Sequence, residues 1–299
     1  MNHFFDGLSC VHKYEIKNGN VFYFNKLLKT TAYKKTFEEN RFGIGSYGTP
    51  DLCSSLFGNL KTLYHGTHEG RDNTNVNIQP FANRQMYALT ETDFLNRVDP
   101  QTLEIIEKLN VKDKITTSNT IIAHPHVLPD GSWIDMGVNL SNRLKPAYDF
   151  VHYDGNGLKD PKLSNILENG KLINTVQSST PKGFSYFHSF ALSQNYIIFL
   201  EQSLKLNMVS RLTGLIRKRP IADCFYMEPK FNTRIHLINR NTGQLVEQKF
   251  HTDPTFSYHF INSYERLNVI LNLLYKNFFF GLRSIAFISL SKHIQITSE

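Results

Sequence analysis

Short extended segments separated by turn residues recur along most of the chain, and this rhythm constrains the fold more than any other feature. Residues 11–16 and 21–24 are extended runs on either side of Asn18-Gly19, a dipeptide that is a strong hairpin signal. A second hairpin is predicted around residues 240–243, where turn residues separate two further apolar runs. Many short strands at roughly even spacing predict an all-β fold, which could be a sandwich, a barrel or a propeller.

Composition places the chain among globular proteins and limits the classes of partner that it is expected to bind. Its 299 residues are 40% hydrophobic and 20% charged, and the 13% of aromatic residues favours strands and apolar cavities. The formal net charge of +7 is spread over short clusters such as residues 217–219. Since no nucleic-acid-binding motif accompanies this charge, a nucleic-acid partner is not expected. The basic surface is either solvated or faces a membrane, so peripheral membrane contact stays open.

The cysteines and the amino-terminal residues indicate which cellular compartment the protein occupies. The three cysteines, Cys10, Cys53 and Cys224, are widely spaced and form no CxxC pair. This argues against a disulfide framework or a cysteine zinc site and favours a reducing compartment. Residues 1–7 do not resemble a secretory signal, because no positive region precedes an apolar core. We therefore predict a cytoplasmic location, with or without peripheral attachment to a membrane.

The character of the sequence changes after residue 265. Residues 267–290 are apolar, with Lys276 and Arg283 as their only charges, and they show neither strand alternation nor turn signals. The segment is long enough to span a membrane, but its two charges and three asparagines argue against that interpretation. We expect residues 266–299 to be a divergent apolar tail, distinct from residues 1–265.

Three histidines lie in extended, mostly aromatic segments. Pro125 follows His124 and keeps it out of the helical region of backbone space. His188 and His259 each lie in an aromatic run of their own. A single histidine in such a setting is usually structural, but three in similar settings favour a metal site, because imidazole is a common ligand of transition metals.

The motifs around these histidines resemble those of a known family. Residues 123–126 read A-H-P-H, residues 186–190 read Y-x-H-S-F, and residues 258–262 read Y-H-x-x-N, with Tyr258 where the family usually has phenylalanine. Together they resemble the carotenoid cleavage oxygenases, and specifically the animal branch of β-carotene oxygenases and the retinal pigment epithelium isomerohydrolase. Residues 90–94 and 195–202 match the same family. The resemblance covers residues 1 to about 265.

The resemblance implies an architecture and a cofactor. The family fold is a seven-bladed β-propeller with a non-haem Fe(II) held on its axis by four histidines. Residues 1–265 would supply about four of the seven blades as a partial propeller domain, and the tail would lie outside it. The fourth histidine has no match here. We therefore expect the chain to be a fragment that lacks the family's amino-terminal start and carboxyl-terminal blades.

The resemblance also assigns roles to individual residues. His124, His188 and His259 would be the iron ligands, whereas His126 would be structural. Glu91 matches a family glutamate that contacts one ligand histidine, and Thr90 matches a pocket position near the iron. These two residues are the candidate catalytic positions.

One cysteine carries a separate hypothesis. Cys53 resembles a cysteine in a P-D-P-C segment that is lipid-modified in the isomerohydrolase, although Leu52 replaces the second proline here. Cys53 is therefore either a lipidation candidate or an unmodified cysteine.

The function that the resemblance implies is O₂-dependent cleavage of a carotenoid double bond to apocarotenal or retinal products. Within the family, the alternative is a retinyl ester isomerohydrolase. From another class, the alternative is a non-catalytic carotenoid or retinoid binder, since the fourth ligand is unmatched. The resemblance makes the chain an enzyme, whereas a truncated chain could itself be inactive.

Overall fold

The computed structural model describes residues 3–40, 46–50, 55, 70–82, 84–113, 118–142, 145–156, 164–266, 269–277 and 283–291. These residues contain twenty strands and two α-helices, and the helices are only eight and nine residues long. The prediction of an all-β fold is therefore confirmed.

The secondary-structure elements follow one another in a nearly continuous series of strands. In chain order they are β1 (Cys10–Lys17), β2 (Asn20–Leu27), α1 (Thr31–Glu38), β3 (Asn77–Phe81), β4 (Gln85–Leu89), β5 (Phe94–Val98), β6 (Ile105–Asn110), β7 (His126–Val127), β8 (Trp133–Asn139), β9 (Ala147–Tyr153), β10 (Gly170–Gln177), β11 (Gly183–Ser185), β12 (Ala191–Leu192), β13 (Tyr196–Glu201), β14 (Leu204–Asn207), α2 (Met208–Ile216), β15 (Phe225–Met227), β16 (Thr233–Asn239), β17 (Phe250–Thr252), β18 (Ser257–Arg266), β19 (Val269–Asn277) and β20 (Arg283–Ser291).

These strands form six antiparallel sheets. Strands β1 and β2 pair as a hairpin, and three four-stranded sheets contain β3–β6, β7–β10 and β12-β13-β16-β17. Two three-stranded sheets contain β11-β14-β15 and β18-β19-β20. The hairpin was predicted from Asn18-Gly19, and both residues have positive φ, at 51° and 76°, as a type I′ turn requires.

Successive sheets pack face to face through alternating side chains. In β13, Ile197 and Phe199 pack towards the second four-stranded sheet, whereas Ile198 and Leu200 pack on the opposite face. Trp133 of β8 belongs in turn to a core shared with the first four-stranded sheet. A sheet buried on both faces by its neighbours is the arrangement of a propeller blade. The three four-stranded sheets are packed in this way, and the sheet β18–β20 adjoins the third of them through β12. We call these four sheets blades, and they bear out the predicted all-β fold with part of a propeller.

The first strands of successive blades lie next to one another. β3 contacts β7, and β12 contacts β18. Residues at or just before these first strands can therefore come together even though they are far apart in sequence.

The apolar segment near the carboxyl end forms strands. β19 pairs with β18 from Ser257↔Lys276 to Arg266↔Val269, and β20 pairs with β19 along its whole length. A continuous apolar run is compatible with a strand as well as a helix, so its lack of alternation did not reveal these strands. Among the described residues, no helix has the length and apolar character needed to cross a membrane.

Candidate metal centre

Three histidines from three different blades converge. His124 lies two residues before β7, His188 lies three residues before β12, and His259 is the third residue of β18. The ring centroid of His124 is 4.4 Å from that of His188 and 4.8 Å from that of His259. One nitrogen from each ring can be chosen so that all three lie within 4.8 Å of one another. The structure thus brings together the histidines that the sequence motifs singled out.

Local backbone features explain how two of these rings reach the centre. Pro125 disfavours a helical conformation at His124, and β7 begins only at His126. In β18 the register with β19 shifts between Ser257 and His259, and again between Phe260 and Asn262. A β-bulge of this kind changes the direction of a side chain, and these two flank His259.

Glu91 holds the ring of His188. It lies in the turn between β4 and β5, and its carboxylate contacts Nδ1 of His188. The hydroxyl of Tyr186 donates to the same carboxylate at 2.9 and 3.1 Å. A carboxylate at Nδ1 favours the tautomer with a proton on Nδ1, which leaves the lone pair of Nε2 for a metal.

Asn77, the first residue of β3, lies beside His124. Its amide has a defined orientation, because Nδ2 donates to the carbonyl of Ala123 at 2.7 Å and Oδ1 accepts from the backbone N–H of Ile78 at 2.9 Å. The same Nδ2 lies 3.4 Å from Nδ1 of His124. No local sequence motif marks Asn77, so it is not among the predicted site residues.

Electrostatics keep two of the imidazoles neutral. Burial, followed by the neighbouring rings of His188 and His259, lowers the pKa of His124 to about 3. Burial, followed by the charge of His188, also lowers the pKa of His259. A metal binds the unprotonated form of histidine, so the surroundings favour the form that a ligand needs.

Polar side chains form hydrogen bonds between β18 and the third four-stranded sheet. Gln202 donates through Nε2 to the carbonyl of Ser257 at 2.9 Å, and the hydroxyl of Ser189 donates to the carbonyl of Tyr258 at 2.6 Å. Farther along the strand, Glu265 accepts from the backbone N–H of Asn195 at 2.7 Å. These bonds fix the strand that carries His259 against the blade that carries His188.

Tyrosine rings form a wall beside the histidines. The ring of Tyr258 lies edge-on to His188 with centroids 5.3 Å apart, and it also contacts Tyr186 at 6.3 Å. Burial, followed by the charge of Glu91, raises the pKa of both Tyr258 and Tyr186. The hydroxyls therefore stay protonated at neutral pH, and the wall offers aromatic faces with O–H donors.

The remaining candidates lie in different surroundings. Thr90 is buried directly after β4, next to Glu91. Nε2 of His126 lies 2.9 Å from the carbonyl oxygen of Phe190, and His126 is not one of the three grouped histidines. Cys53 lies outside the described residues.

The donor set fits a first-row transition metal. Three neutral nitrogen ligands suit iron, zinc, copper or nickel, and within the described part of the chain no carboxylate belongs to the group. Iron therefore fits these residues, although the imidazoles alone do not select it.

Comparison with known proteins adds family evidence. The sequence model of the retinal pigment epithelial membrane protein family matches residues 1–286. The chain is 32% identical over 275 residues to the β,β-carotene 15,15′-dioxygenase of Rattus norvegicus, a match that covers 90% of this chain and 48% of that protein. It is 36% identical over 276 residues to the mitochondrial carotenoid-cleaving dioxygenase of Homo sapiens, covering 88% of this chain and 46% of that protein. The chain thus spans about half the length of the curated relatives it matches.

Solved structures show the same fold at lower identity. A variant of the Synechocystis apocarotenoid oxygenase superposes with a TM-score of 0.69 at 22% identity, over 92% of this chain and 53% of that one. The cobalt-substituted Synechocystis enzyme superposes with a TM-score of 0.67 at 23% identity, over the same shares of the two chains. At these identities the likeness supports the fold alone.

Proposed function

Because the chain belongs to the retinal pigment epithelial membrane protein family, the carotenoid cleavage oxygenases, we propose that it acts as a non-haem Fe(II)-dependent dioxygenase. Its substrate would be a carotenoid such as β-carotene, and its products would be apocarotenals or retinal. The observation that carries this proposal is the convergence of His124, His188 and His259, with Glu91 on the outer nitrogen of His188.

The residues of this chain would bind and shape the centre. When bound, Fe(II) supplies a site that activates O₂ for addition across an electron-rich double bond. The three imidazoles would hold it as neutral ligands, and Glu91 would keep the Nδ1 proton of His188 in place. Thr90 and the ring of Tyr258 would line the approach to the metal, where aromatic faces pack against a polyene and exclude water.

A second part of the proposal is peripheral contact with a membrane, from which an apolar substrate would be taken up. Helix α2 exposes Val209, Leu212 and Ile216, which recur at helical spacing on one face. Residues 217–219, Arg-Lys-Arg, follow directly. An apolar helical face beside basic residues is typical of helices that lie in a membrane interface.

Two measurements test the proposed activity. The chain is purified without oxygen and its bound metals are quantified, and then β-carotene and O₂ are supplied and the products are separated by chromatography. We expect iron near one atom per chain and aldehyde products, both lost in His188→Ala and retained in His126→Ala. Formation of retinol from a retinyl ester would identify the isomerohydrolase alternative. Carotenoid binding without any bound iron would identify a non-catalytic binder.

A further inference from the structure

A cleft of about 310 Å³ lies between the β1–β2 hairpin, the start of α1 and the first four-stranded sheet. It is lined by the end of β2, the first turn of α1 and residues of β5 and β6. Glu91 and the three histidines of the candidate metal centre are not part of its lining. The cleft is therefore a separate place on the protein.

Positive charge dominates the wall of the cleft. Its charged residues are four lysines and two acids, namely Lys26, Lys29, Lys34, Lys108, Asp72 and Glu104. Nζ of Lys26 lies 2.7 Å from Oε1 of Glu104, and Nζ of Lys108 lies 3.6 Å from Oδ2 of Asp72. The ammonium of Lys26, followed more weakly by that of Lys29, lowers the pKa of Glu104. Two ammonium groups remain in excess, and the exposed side chains of Lys29 and Lys34 can supply them.

Asp72, one of the two acids in the wall, already accepts hydrogen bonds. The carboxylate of Asp72 accepts from the backbone N–H groups of Thr31 at 2.8 Å and Ala32 at 3.3 Å, in the first turn of α1. Nζ of Lys108 also donates to the hydroxyl of Thr31 at 3.2 Å. Both oxygens of Asp72 therefore already have partners in the first turn of α1, and its one negative charge is matched by Lys108.

A buried acceptor in the wall lacks a donor. Asn96 is fully buried, and its Nδ2 donates to the carbonyl of Asp72 at 2.8 Å and to Oγ1 of Thr74 at 2.9 Å. These two bonds fix the amide, so its Oδ1 is the oxygen left over. Within the described part of the chain, this Oδ1 has no hydrogen-bond partner. A buried acceptor in this condition requires an O–H or N–H group from a water or a ligand.

Strand register shows that Asn96 faces the cleft. Asn96 pairs with Ala88 of β4 and with Lys108 of β6, so all three side chains lie on one face of the sheet. Ala88 packs on that face against Val11 and Leu28, which come from the hairpin and the segment after it. Asn96 therefore points to the side of the sheet where the hairpin and the cleft lie.

We propose that this cleft binds a phosphorylated polyol. Its phosphate group would lie on the ammonium groups of Lys29 and Lys34, and one of its hydroxyls would donate to Oδ1 of Asn96. Lysine binds phosphate as a point charge. Two lysines match the double negative charge of a phosphate group better than the single negative charge of a ligand carboxylate.

The size and the mixed charge of the wall favour this class of ligand over a bare anion. Ligand pockets in proteins begin at roughly 300 Å³, so the cleft has room for a sugar-sized molecule rather than inorganic phosphate alone. Glu104 also lines the cleft, and its carboxylate can accept a hydrogen bond from a hydroxyl of the ligand. The same chemistry occurs in soluble sugar phosphates and in the headgroup of a phosphoinositide.

Binding of an inositol trisphosphate to the intact chain, measured by calorimetry at low and at physiological salt, tests the proposal. The variant is Lys29→Glu with Lys34→Glu, and the matched control is Lys171→Glu with Lys249→Glu, two exposed lysines on other blades. We expect the first pair to weaken binding by about tenfold or more, because it reverses both proposed contacts, and the second pair to leave it nearly unchanged. Thermal unfolding of both variants checks that each remains folded.

Comparing several probes shows which chemical groups of the ligand the cleft binds. Unphosphorylated inositol and inorganic phosphate should each bind more weakly than the trisphosphate. Binding of the chain to phosphatidylcholine vesicles that contain a phosphoinositide is compared with its binding to phosphatidylserine vesicles of equal charge. Tighter binding to the phosphoinositide vesicles identifies a membrane lipid as the ligand. Binding of the soluble probe without binding to either vesicle identifies a soluble ligand. The proposal is overturned by absence of trisphosphate binding, by equal loss in both lysine pairs, by inorganic phosphate binding as tightly as the trisphosphate, or by phosphatidylserine vesicles binding the chain as tightly as phosphoinositide vesicles do.

Discussion

The rings of His188 and His124 lie side by side in the candidate metal centre, but their Nδ1 atoms meet different partners. At His188 the partner is the carboxylate of Glu91, which itself accepts from the hydroxyl of Tyr186. At His124 it is the neutral amide of Asn77, at 3.4 Å. A carboxylate adds negative charge and holds a proton on Nδ1, which raises the basicity of Nε2, whereas the N–H group of an amide adds no charge and cannot hold a proton on Nδ1. We therefore expect the His188 side to contribute more to metal affinity than the His124 side.

The strongest test of this comparison is Glu91→Gln. The substitution keeps the shape of the side chain but removes the charge at Nδ1 of His188, so we expect iron affinity to fall by roughly 10–100-fold. Competition with a chelator of known affinity measures the change. Glu201→Gln is the matched control, because Glu201 contacts His236 at 3.2 Å in a glutamate–histidine pair that is not part of the centre. An equal loss in both variants would mean that Glu91 acts through general stability alone.

A smaller effect is expected from Asn77→Leu, which removes the amide beside His124. Because no charge is lost, the fall in iron affinity should stay below about tenfold, the lower end of the range for groups that orient a ligand. Asn75→Leu is the control, since the amide of Asn75 donates to the carbonyls of Phe5 and Gly7 instead. If Asn77→Leu costs as much affinity as Glu91→Gln, the contrast between the two sides of the centre is wrong.

Tyr186→Phe should have a still smaller effect on the metal. It removes one hydrogen bond to the carboxylate of Glu91 while the contact between Glu91 and His188 remains, so we expect a loss of about two- to fivefold in iron affinity, as for one hydrogen bond of typical net strength. Combining Tyr186→Phe with Glu91→Gln tests the coupling. The tyrosine substitution should cost little once the carboxylate is gone, and full additivity would place Tyr186 outside this arrangement.

The remaining prediction concerns the free energy of unfolding of the metal-free chain, and not its affinity for iron. The pKa of His124 is 6.5 in an ordinary setting and about 3 in the folded protein, so the unfolded chain binds the additional proton between these values. The free energy of unfolding should therefore be fully maintained above pH 6.5 and fall as the pH drops from 6.5 towards 3. Denaturant unfolding at several pH values measures this slope. His124→Gln should make the slope shallower, and an unchanged slope would contradict the lowered pKa.

Sequence motifs predicted the site better than they predicted its surroundings. His124, His188 and His259 each lie in a short local pattern, and local patterns also revealed the hairpin at Asn18-Gly19. Asn77 escaped prediction because its contact joins two blades across 47 positions of sequence. No periodicity or turn rule describes such a contact.

Two other features could not be predicted from the sequence, for related reasons. The hydroxyl of Tyr186 reaches Glu91 across 95 positions, so its role depends on the packing of blades and not on its own motif. Strands β19 and β20 lie in an apolar run whose pattern is shared by helices and buried strands. The boundary that we expect at residue 265 stays a prediction, although the family match continues to residue 286.

The central claim is that His124, His188 and His259 bind one metal ion together, and an anaerobic Fe(II) titration of the chain tests it most directly. The account predicts one iron per chain, with that binding abolished in each of His124→Ala, His188→Ala and His259→Ala and largely retained in His126→Ala, whose Nε2 is engaged by the carbonyl of Phe190. Equal loss of iron in His126→Ala and His124→Ala, or full retention in any one of the three ligand variants, would contradict it.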